Sequence, residues 1–196
     1  MAKESRTYQE NRRILFRDGL TSEQNTRRLG GIPASVTYNV DGTVTNATGY
    51  INYTPIILPS AWSIRIIFEI TDLSSANAFF GNTFAGSSGT RLFVDAAGEI
   101  SIFSETNDEA NSNIGALVAD QKYELVVTND GSGADNINFY IDGVLNNSAS
   151  LTSLGGFVFR QLFAIGDNRF PLVGSMDLFE IYNYALSSSE IWNLAN

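Results

Sequence analysis

The sequence contains no cysteine and no histidine, and these two absences exclude several kinds of chemistry. Without cysteine there are no disulfides and no thiolate metal sites. Without histidine there is no Ser-His-Asp or Cys-His catalysis, no imidazole metal ligand and no ordinary switch near neutral pH. Catalysis by this chain would have to use carboxylates, lysine, tyrosine or a bound metal.

Long apolar runs are also missing. No stretch approaches the roughly 20 apolar residues of a membrane-spanning helix, and residues 1–6 lead into polar residues without the apolar core of a secretory signal. We therefore expect synthesis in the cytoplasm and no membrane partner. A hydrophobic content of 43% and a charged content of 17% are those of a chain with a real core. Its 196 residues suit one domain with an appendage.

Charges of the two signs are unevenly placed. Residues 1–31 hold seven basic and four acidic residues, a balance of +3, whereas residues 32–196 hold five basic and seventeen acidic residues, a balance of −12. The acidic body disfavours nucleic-acid binding. The basic segment predicts an N-terminal docking arm, residues 1–32, that binds other protein subunits of a larger assembly. The predicted docking residues are Arg12, Arg13, Phe16, Arg17, Arg27 and Arg28.

Two short helices are predicted inside this arm. The first, from Ser5 to Arg17, rests on Tyr8, Arg12 and Phe16 at a spacing of four. The second, from Thr21 to Gly31, has capping residues at its start and a glycine pair at its end. The alternative is a solvated tail.

From residue 33 onward the pattern is that of strands. Ile137, Phe139 and Ile141 alternate with polar or aromatic residues, and Asp142-Gly143 then supplies a tight hairpin turn. The long polar stretch from residue 104 to 121 is predicted as a loop. A capping box, residues 187–190, begins a short C-terminal helix.

The order of these features from Lys122 to Leu186 resembles the laminin-G-like branch of the concanavalin A-like sandwiches. The shared order is a strand, a polar turn, a strand ending in Asp-Gly, a later Ile-Gly, then Gly-x-apolar-Asp, an Ile-Tyr pair and Ala-Leu-Ser before a helix. The resemblance implies an all-β fold, a two-sheet antiparallel jelly-roll β-sandwich over residues 33–196. Members of this fold include lectins, enzymes and structural modules.

The carboxylate pattern argues against an enzyme. Laminarinase-type glucanases of this superfamily present Glu-x-Asp-x-x-Glu, and no glutamate here has an aspartate two residues on. Glu69 and Asp72, like Asp177 and Glu180, are three apart, so a regular strand divides each pair between its two faces. A non-catalytic protein is predicted, with a carboxylate pair assembled from distant loops as the alternative.

Asp177 is a candidate metal ligand. By period-2 alternation it shares a face with Phe179 and Ile181, and an acid on an apolar face must be paired, hydrogen-bonded or metal-bound. Related sandwiches use a nearby position for structural calcium. The alternative is backbone hydrogen bonding or pairing with an arginine, of which Arg65, Arg91 and Arg169 are the candidates.

Ligand-binding residues are predicted in the polar loop and on one strand. Glu105, Asp108 and Asn111 form an oxygen-rich group that suits a cation or a sugar, and a solvated loop is the alternative. Tyr140 is predicted to be exposed on the polar face of its strand, where its ring would stack on a sugar.

These observations favour a structural or binding module docked by its arm onto a larger assembly. A phage or virus particle is expected, with the chain on the virion surface as a capsid decoration, tail or fibre component. A lectin-like carbohydrate-binding module is the second hypothesis, and a carbohydrate-active enzyme is the third.

Overall fold

The computed structural model describes residues 14–20, 22, 26–27, 29, 31–39, 44–46, 48–82, 89–104, 108–132, 136–151, 157–165 and 170–196. Within these ranges the chain forms fifteen strands and one helix. They are β1 Ile14–Asp18, β2 Ile32–Ala34, β3 Thr37–Tyr38, β4 Val44–Asn46, β5 Tyr50–Ile57, β6 Trp62–Ile70, β7 Asn77–Gly81, β8 Arg91–Val94, β9 Ile100–Phe103, β10 Glu109–Asn111, β11 Gln121–Asn129, β12 Ile137–Ile141, β13 Val144–Ala149, β14 Val158–Leu162, β15 Gly174–Tyr182 and α1 Ser188–Ala195. No helix in the described ranges is long and apolar enough to cross a membrane.

The strands form two antiparallel sheets. Sheet A has the order β13-β12-β11-β6-β15-β4-β3, with β1 paired to β15, and sheet B has the order β10-β9-β8-β7-β14-β5-β2. Neighbours in each sheet are often distant in sequence, since β6 pairs with both β11 and β15. This is the predicted two-sheet β-sandwich with a short C-terminal helix, and the predicted fold class is confirmed.

The core lies between the inner faces of the two sheets. On β6, Ile64, Ile66 and Phe68 are fully buried, as their alternation requires. Phe159 of sheet B stacks on Phe179 of sheet A with ring centroids 4.9 Å apart. Such aromatic contacts join the sheets over an apolar interior, which is the main source of stability for a fold of this size.

The N-terminal segment is part of this sandwich where the structure describes it. Residues 14–18 form β1, which pairs with the end of β15 from Phe179 to Tyr182. Phe16 is 9% exposed and Leu20 is fully buried in the core. The helix predicted from Ser5 to Arg17 is therefore wrong over its last residues, and β1 covers part of the free edge of β15. The spacing of the apolar residues is compatible with a short helix, but tertiary packing decides the structure. As a strand, this segment buries Phe16 and Leu20 in the core of the sandwich.

The second predicted arm helix is described only in part. Thr26 and Arg27 have helical backbone. The amides of Leu29 and Gly31 both donate to the Thr26 carbonyl, at 3.1 and 2.9 Å. These bonds close a turn just before β2.

Turn and cap chemistry follows the sequence closely. Asp142 and Gly143 both have positive φ, 50° and 78°, in the turn between β12 and β13. Ser187 caps α1, and both bonds of the capping box with Glu190 are present. The predicted loop from residue 104 to 121 is interrupted by a strand that local pattern does not show, because β10 pairs with β9.

Candidate functional site

The outer face of sheet B carries aromatic and polar side chains on two neighbouring strands. The fully buried positions of these strands, β8 and β9, are Leu92, Val94, Ile100 and Ile102. The alternate positions, which lie on the opposite face, are Arg91, Phe93, Ser101 and Phe103. The strand register places Arg91 directly opposite Phe103.

Two phenylalanines and an arginine form a compact group on this face. The rings of Phe93 and Phe103 are nearly parallel, with an interplanar angle of 11° and centroids 5.5 Å apart. The Arg91 Cζ lies 3.9 Å from the Phe103 centroid, a cation–π contact. All three side chains are half-buried. The group offers a ligand flat apolar surface beside a strong hydrogen-bond donor.

A polar network borders this group on β10. Glu109 lies opposite Phe103, and Asn111 lies opposite Ser101. With the Asn111 amide in the orientation that satisfies both of its ends, its nitrogen donates to Ser101 Oγ at 2.8 Å and to Glu109 Oε1 at 3.0 Å. Burial lowers the pKa of Arg91, and the nearby negative charge of Glu109 opposes that shift.

The row of paired residues that contains Phe103 and Arg91 continues across sheet B toward β5. Arg91 pairs with Gly81, Gly81 with Gln161, and Gln161 with Asn52. Gln161 Nε2 donates to Asn52 Oδ1 at 2.9 Å. A Cβ at Gly81 would lie 3.2 Å from Ile165, so that residue covers the middle of the row and closes it off.

An exposed arginine, Arg160, lies on β14, beyond the part of the row that Ile165 covers. Arg160 follows Phe159 at an irregularity of β14, where the register with β5 shifts between Phe159 and Gln161. Phe159 is fully buried, whereas Arg160 is exposed. No ion pair or side-chain hydrogen bond of Arg160 occurs within the described part of the chain.

Asparagines close the nearby edge of the sandwich. Asn113 N donates to Asn146 Oδ1 at 2.8 Å, and Asn113 Nδ2 donates to the Asn146 carbonyl at 2.6 Å. Asn147 Nδ2 donates to the Asn111 carbonyl at 2.9 Å. These bonds join the edge strand of sheet B, β10, and the loop that follows it to the edge strand of sheet A, β13. They satisfy backbone groups that an open edge would expose.

Those predicted ligand-binding residues that the structure describes do not converge on one site. Asn111 belongs to the network on β10, and Asp108 lies in the β9–β10 turn, where its amide donates to Ser104 Oγ at 3.3 Å. Glu105 lies outside the described residues. Tyr140 lies on the other sheet, so it cannot contact one sugar together with Asp108 and Asn111.

The predicted exposure of Tyr140 is wrong. The residue is 7% exposed and packs in a second apolar cluster with Val126, Tyr182, Leu186 and Ile191. Its hydroxyl lies 3.3 Å from Ser188 Oγ. Tyr140 does face away from the main core, as its alternation predicts, but α1 covers that face of sheet A.

A charged network lies under α1 beside this cluster. Glu180, fully buried, accepts from Arg17 Nε, from Arg65 Nη1 at 3.2 Å and from Tyr182 Oη at 2.7 Å. Arg65 Nε pairs with Glu124, and Arg65 Nη2 donates to the Leu194 carbonyl of α1 at 3.2 Å. The network attaches the helix to the sheet.

Asp177 lies on a bulge, and this corrects its predicted face. The register of β15 against β6 shifts between Met176 and Leu178, so Asp177 is an extra residue, and its carboxylate pairs with Lys122. Asp177 Oδ1 has no hydrogen-bond partner among the residues that the structure describes. The described residues contain no group of three acidic side chains that could hold a metal. An ammonium beside a single carboxylate does not fit calcium, which requires six to eight oxygens.

The predicted docking residues have different positions. Phe16 lies in the core and is not available to a partner, which corrects its predicted role. Arg17 is 51% exposed at its side chain and pairs with buried Glu180. Arg27 is exposed, and docking through it stays a prediction. Arg12, Arg13 and Arg28 lie outside the described residues.

The alternation of residues in β8 and β9 is a local signal for the outer face of sheet B. In Arg91-Leu-Phe-Val94 and Ile100-Ser-Ile-Phe103, aliphatic residues alternate with a cation, a hydroxyl and two aromatics. Aromatic residues opposite an aliphatic face indicate a second, functional face. The register that brings Arg91 over Phe103 is a property of the sheet.

Comparison with known proteins agrees with this architecture. A laminin-G family model, described as the concanavalin A-like lectin/glucanases superfamily, matches residues 41–192. A search of curated proteins finds no match.

Several solved structures share the fold at low identity. Domain 4 of AbnA, a GH43 extracellular arabinanase from Geobacillus stearothermophilus in complex with arabinotriose, is 16% identical with a TM-score of 0.71, and the match covers 94% of this chain and 98% of that domain. Botulinum neurotoxin type C, whose cell entry depends on two ganglioside molecules, is 14% identical with a TM-score of 0.64. The match covers 97% of this chain and 52% of the toxin chain. A Trypanosoma rangeli sialidase is 15% identical with a TM-score of 0.59. The match covers 83% of this chain and 28% of the sialidase chain. This chain therefore corresponds to about half of the toxin chain and under a third of the sialidase chain.

Proposed function

We infer a function from the family to which this chain belongs, the laminin-G type of the concanavalin A-like lectin/glucanases superfamily. The proposed function is non-catalytic binding of glycans through the outer face of sheet B. The neighbours in complex with arabinotriose or dependent on gangliosides have the same fold and give this proposal its context. What these neighbours share with this chain is the fold.

The observation that carries the proposal is the group of Phe93, Phe103 and Arg91. Aromatic rings provide large contact area at little entropic cost, and a sugar presents apolar C–H surface to such rings. Arg91 and the network of Asn111 and Ser101 provide polar atoms at the border of the rings. Side chains that are half-buried and packed on one another need little rearrangement on binding, which favours affinity.

The carboxylate content of the same face supports binding without hydrolysis. Glycosidases of the usual kind place two carboxylates on either side of a glycosidic bond. The seven strands of sheet B contain one acidic residue, Glu109. The buried acids Glu180 and Glu124 lie on sheet A and are held by arginine. This distribution favours a lectin-like module over a carbohydrate-active enzyme.

Incorporation into a phage or virus particle is a separate proposal. It is supported by the basic balance of residues 1–31 against the acidic remainder of the chain. Because β1 belongs to the sandwich, the segment available for docking is shorter than the predicted arm. Sedimentation of the full chain with assembled particles, and its loss on removal of residues 1–13, is the expected result.

A glycan array followed by calorimetry tests glycan binding. We expect Phe93→Ala and Phe103→Ala each to weaken binding by roughly tenfold or more. The magnitude is taken from the stacking of nucleic-acid bases on aromatic side chains, which is worth about 1–3 kcal/mol per contact. Trp192→Ala is the matched control, because Trp192 is an aromatic residue, 54% exposed, on α1 at the other sheet. Equal losses in all three variants, or no glycan binding by the full chain, would contradict the proposal.

A further inference from the structure

We propose that the glycan bound on the outer face of sheet B is acidic, with carboxylate-bearing sugars read by Arg160 and Arg91. This inference rests on the proposed function and names the class of ligand. It comes from the placement of charge on the sandwich.

The strands of sheet B carry a net positive charge within an acidic segment of the chain. Residues 32–196 hold five basic residues against seventeen acidic ones. Two of the five, Arg91 and Arg160, lie on strands of sheet B, which contain one acid, Glu109. The strands of this sheet therefore carry +1 within a segment of −12. A net positive charge on these strands attracts anionic ligands to the outer face of sheet B.

Arg91 contacts Phe103 and donates from Nη1 to the Gly89 carbonyl at 3.3 Å, and two further basic side chains of the described domain are engaged on sheet A. Arg65 lies between Glu124 and Glu180 and donates to the end of α1. Lys122 pairs with Asp177. Arg160, by contrast, is exposed and has no ion pair with a described residue. An arginine fork in this state binds a carboxylate with two parallel hydrogen bonds.

The spacing of the two arginines indicates an oligosaccharide. Arg91 lies on β8, and Arg160 lies on β14, with β7 between them. Strands in a sheet are about 4.8 Å apart, which separates the two strands by about 10 Å. Ile165 covers Gly81 between them. The two guanidinium groups therefore contact different units of a ligand, with the phenylalanines beside Arg91.

Binding of matched glycans to the full chain tests the ligand class. The probes are one neutral oligosaccharide, its sialylated form and a uronate oligosaccharide of similar length. We expect the acidic forms to bind more tightly, and their advantage to shrink as salt is raised because screening weakens exposed charge pairs. A preference for one acidic probe distinguishes a sialate from a uronate.

Charge variants test the residues. Arg160→Gln should weaken binding of the acidic probes about fivefold and leave the neutral probe unchanged, and Glu109→Gln should strengthen binding of the acidic probes by a similar factor. Lys122→Gln is the control, because it removes the same charge from sheet A. Equal affinity for neutral and acidic probes, or equal effects of Arg160→Gln and Lys122→Gln, would overturn the acidic ligand while leaving glycan binding in place.

Discussion

The ring of Phe16 packs edge-on against the ring of Tyr53, with centroids 5.0 Å apart and an interplanar angle of 79°. Phe16 comes from β1 of sheet A, and Tyr53 comes from β5 of sheet B. Asp18, two residues after Phe16, is fully buried and accepts from Tyr53 Oη at 2.6 Å and from Leu20 N at 2.8 Å. The first described strand thus joins the two sheets through both apolar and polar contacts.

Removal of β1 should destabilise the whole domain. A chain that begins at Ile32 lacks Phe16, Asp18 and Leu20, and we expect it to melt far below the full chain or to remain unfolded. A chain that begins at Ile14 should keep most of the melting temperature. Phe16→Ala alone should cost about 3–5 kcal/mol. Circular dichroism melting measures all three. Full stability of the chain that begins at Ile32 would restore the independent arm predicted from sequence.

Replacement of Arg65 should be among the most damaging polar changes. Arg65→Met leaves Glu180 and Glu124 without their shared guanidinium, and an uncompensated buried charge costs about 3–5 kcal/mol. Arg17→Met should cost less, since half of that side chain is exposed and Arg65 still faces Glu180. Denaturant unfolding gives the free energies. Hydrogen exchange should show α1 opening first in Arg65→Met, because the bond to Leu194 is lost. Equal free energies for the two variants would contradict this account.

Tyr140 should behave as a buried residue. Tyr140→Ala should cost about 2–4 kcal/mol, close to the cost expected of Phe139→Ala in the main core. Tyr140→Phe should cost about 1 kcal/mol, because it removes the contact with Ser188 alone. Urea unfolding measures both. A loss below 1 kcal/mol for Tyr140→Ala would show that α1 does not stabilise this face in solution.

Stability should fall in alkaline solution. Burial raises the pKa of Tyr53, with the charge and hydrogen bond of Asp18 adding to the shift. Burial, followed by the hydrogen bond to Glu180, raises the pKa of Tyr182. The unfolded chain ionises these tyrosines near pH 10 and the folded chain does not, so stability is complete below pH 10 and declines by about 1.4 kcal/mol per pH unit per tyrosine above it. Tyr53→Phe and Tyr182→Phe should each make that decline shallower in melts between pH 9 and 11. An unchanged slope would show that neither hydroxyl stays protonated.

Chelation should leave the domain unchanged. Sequence pattern offered structural calcium at Asp177 as one alternative and hydrogen bonding or ion pairing as the other, and the contact with Lys122 favours an ion pair. We expect the same melting temperature with and without a chelator, and Asp177→Asn to cost less than about 1 kcal/mol because the pair is partly exposed. A melting temperature that falls with chelator and returns with calcium would establish a metal site, since a ligand of the native state stabilises it by mass action.

Local sequence pattern is enough to predict the strands with clear alternation, the turns and the helix cap. Ile137 to Ile141, the Asp142-Gly143 turn and the Ser187–Glu190 box depend on residues within a few positions of one another, so their signals are local. The remaining features depend on contacts between strands and between the helix and the sheet. The bulge turns Asp177 toward Lys122, α1 covers Tyr140, β1 joins β15, and the pairing of β8 with β9 brings Arg91 over Phe103. Each of these depends on strand register between residues distant in the chain, where a shift of one position exchanges the two faces of a strand.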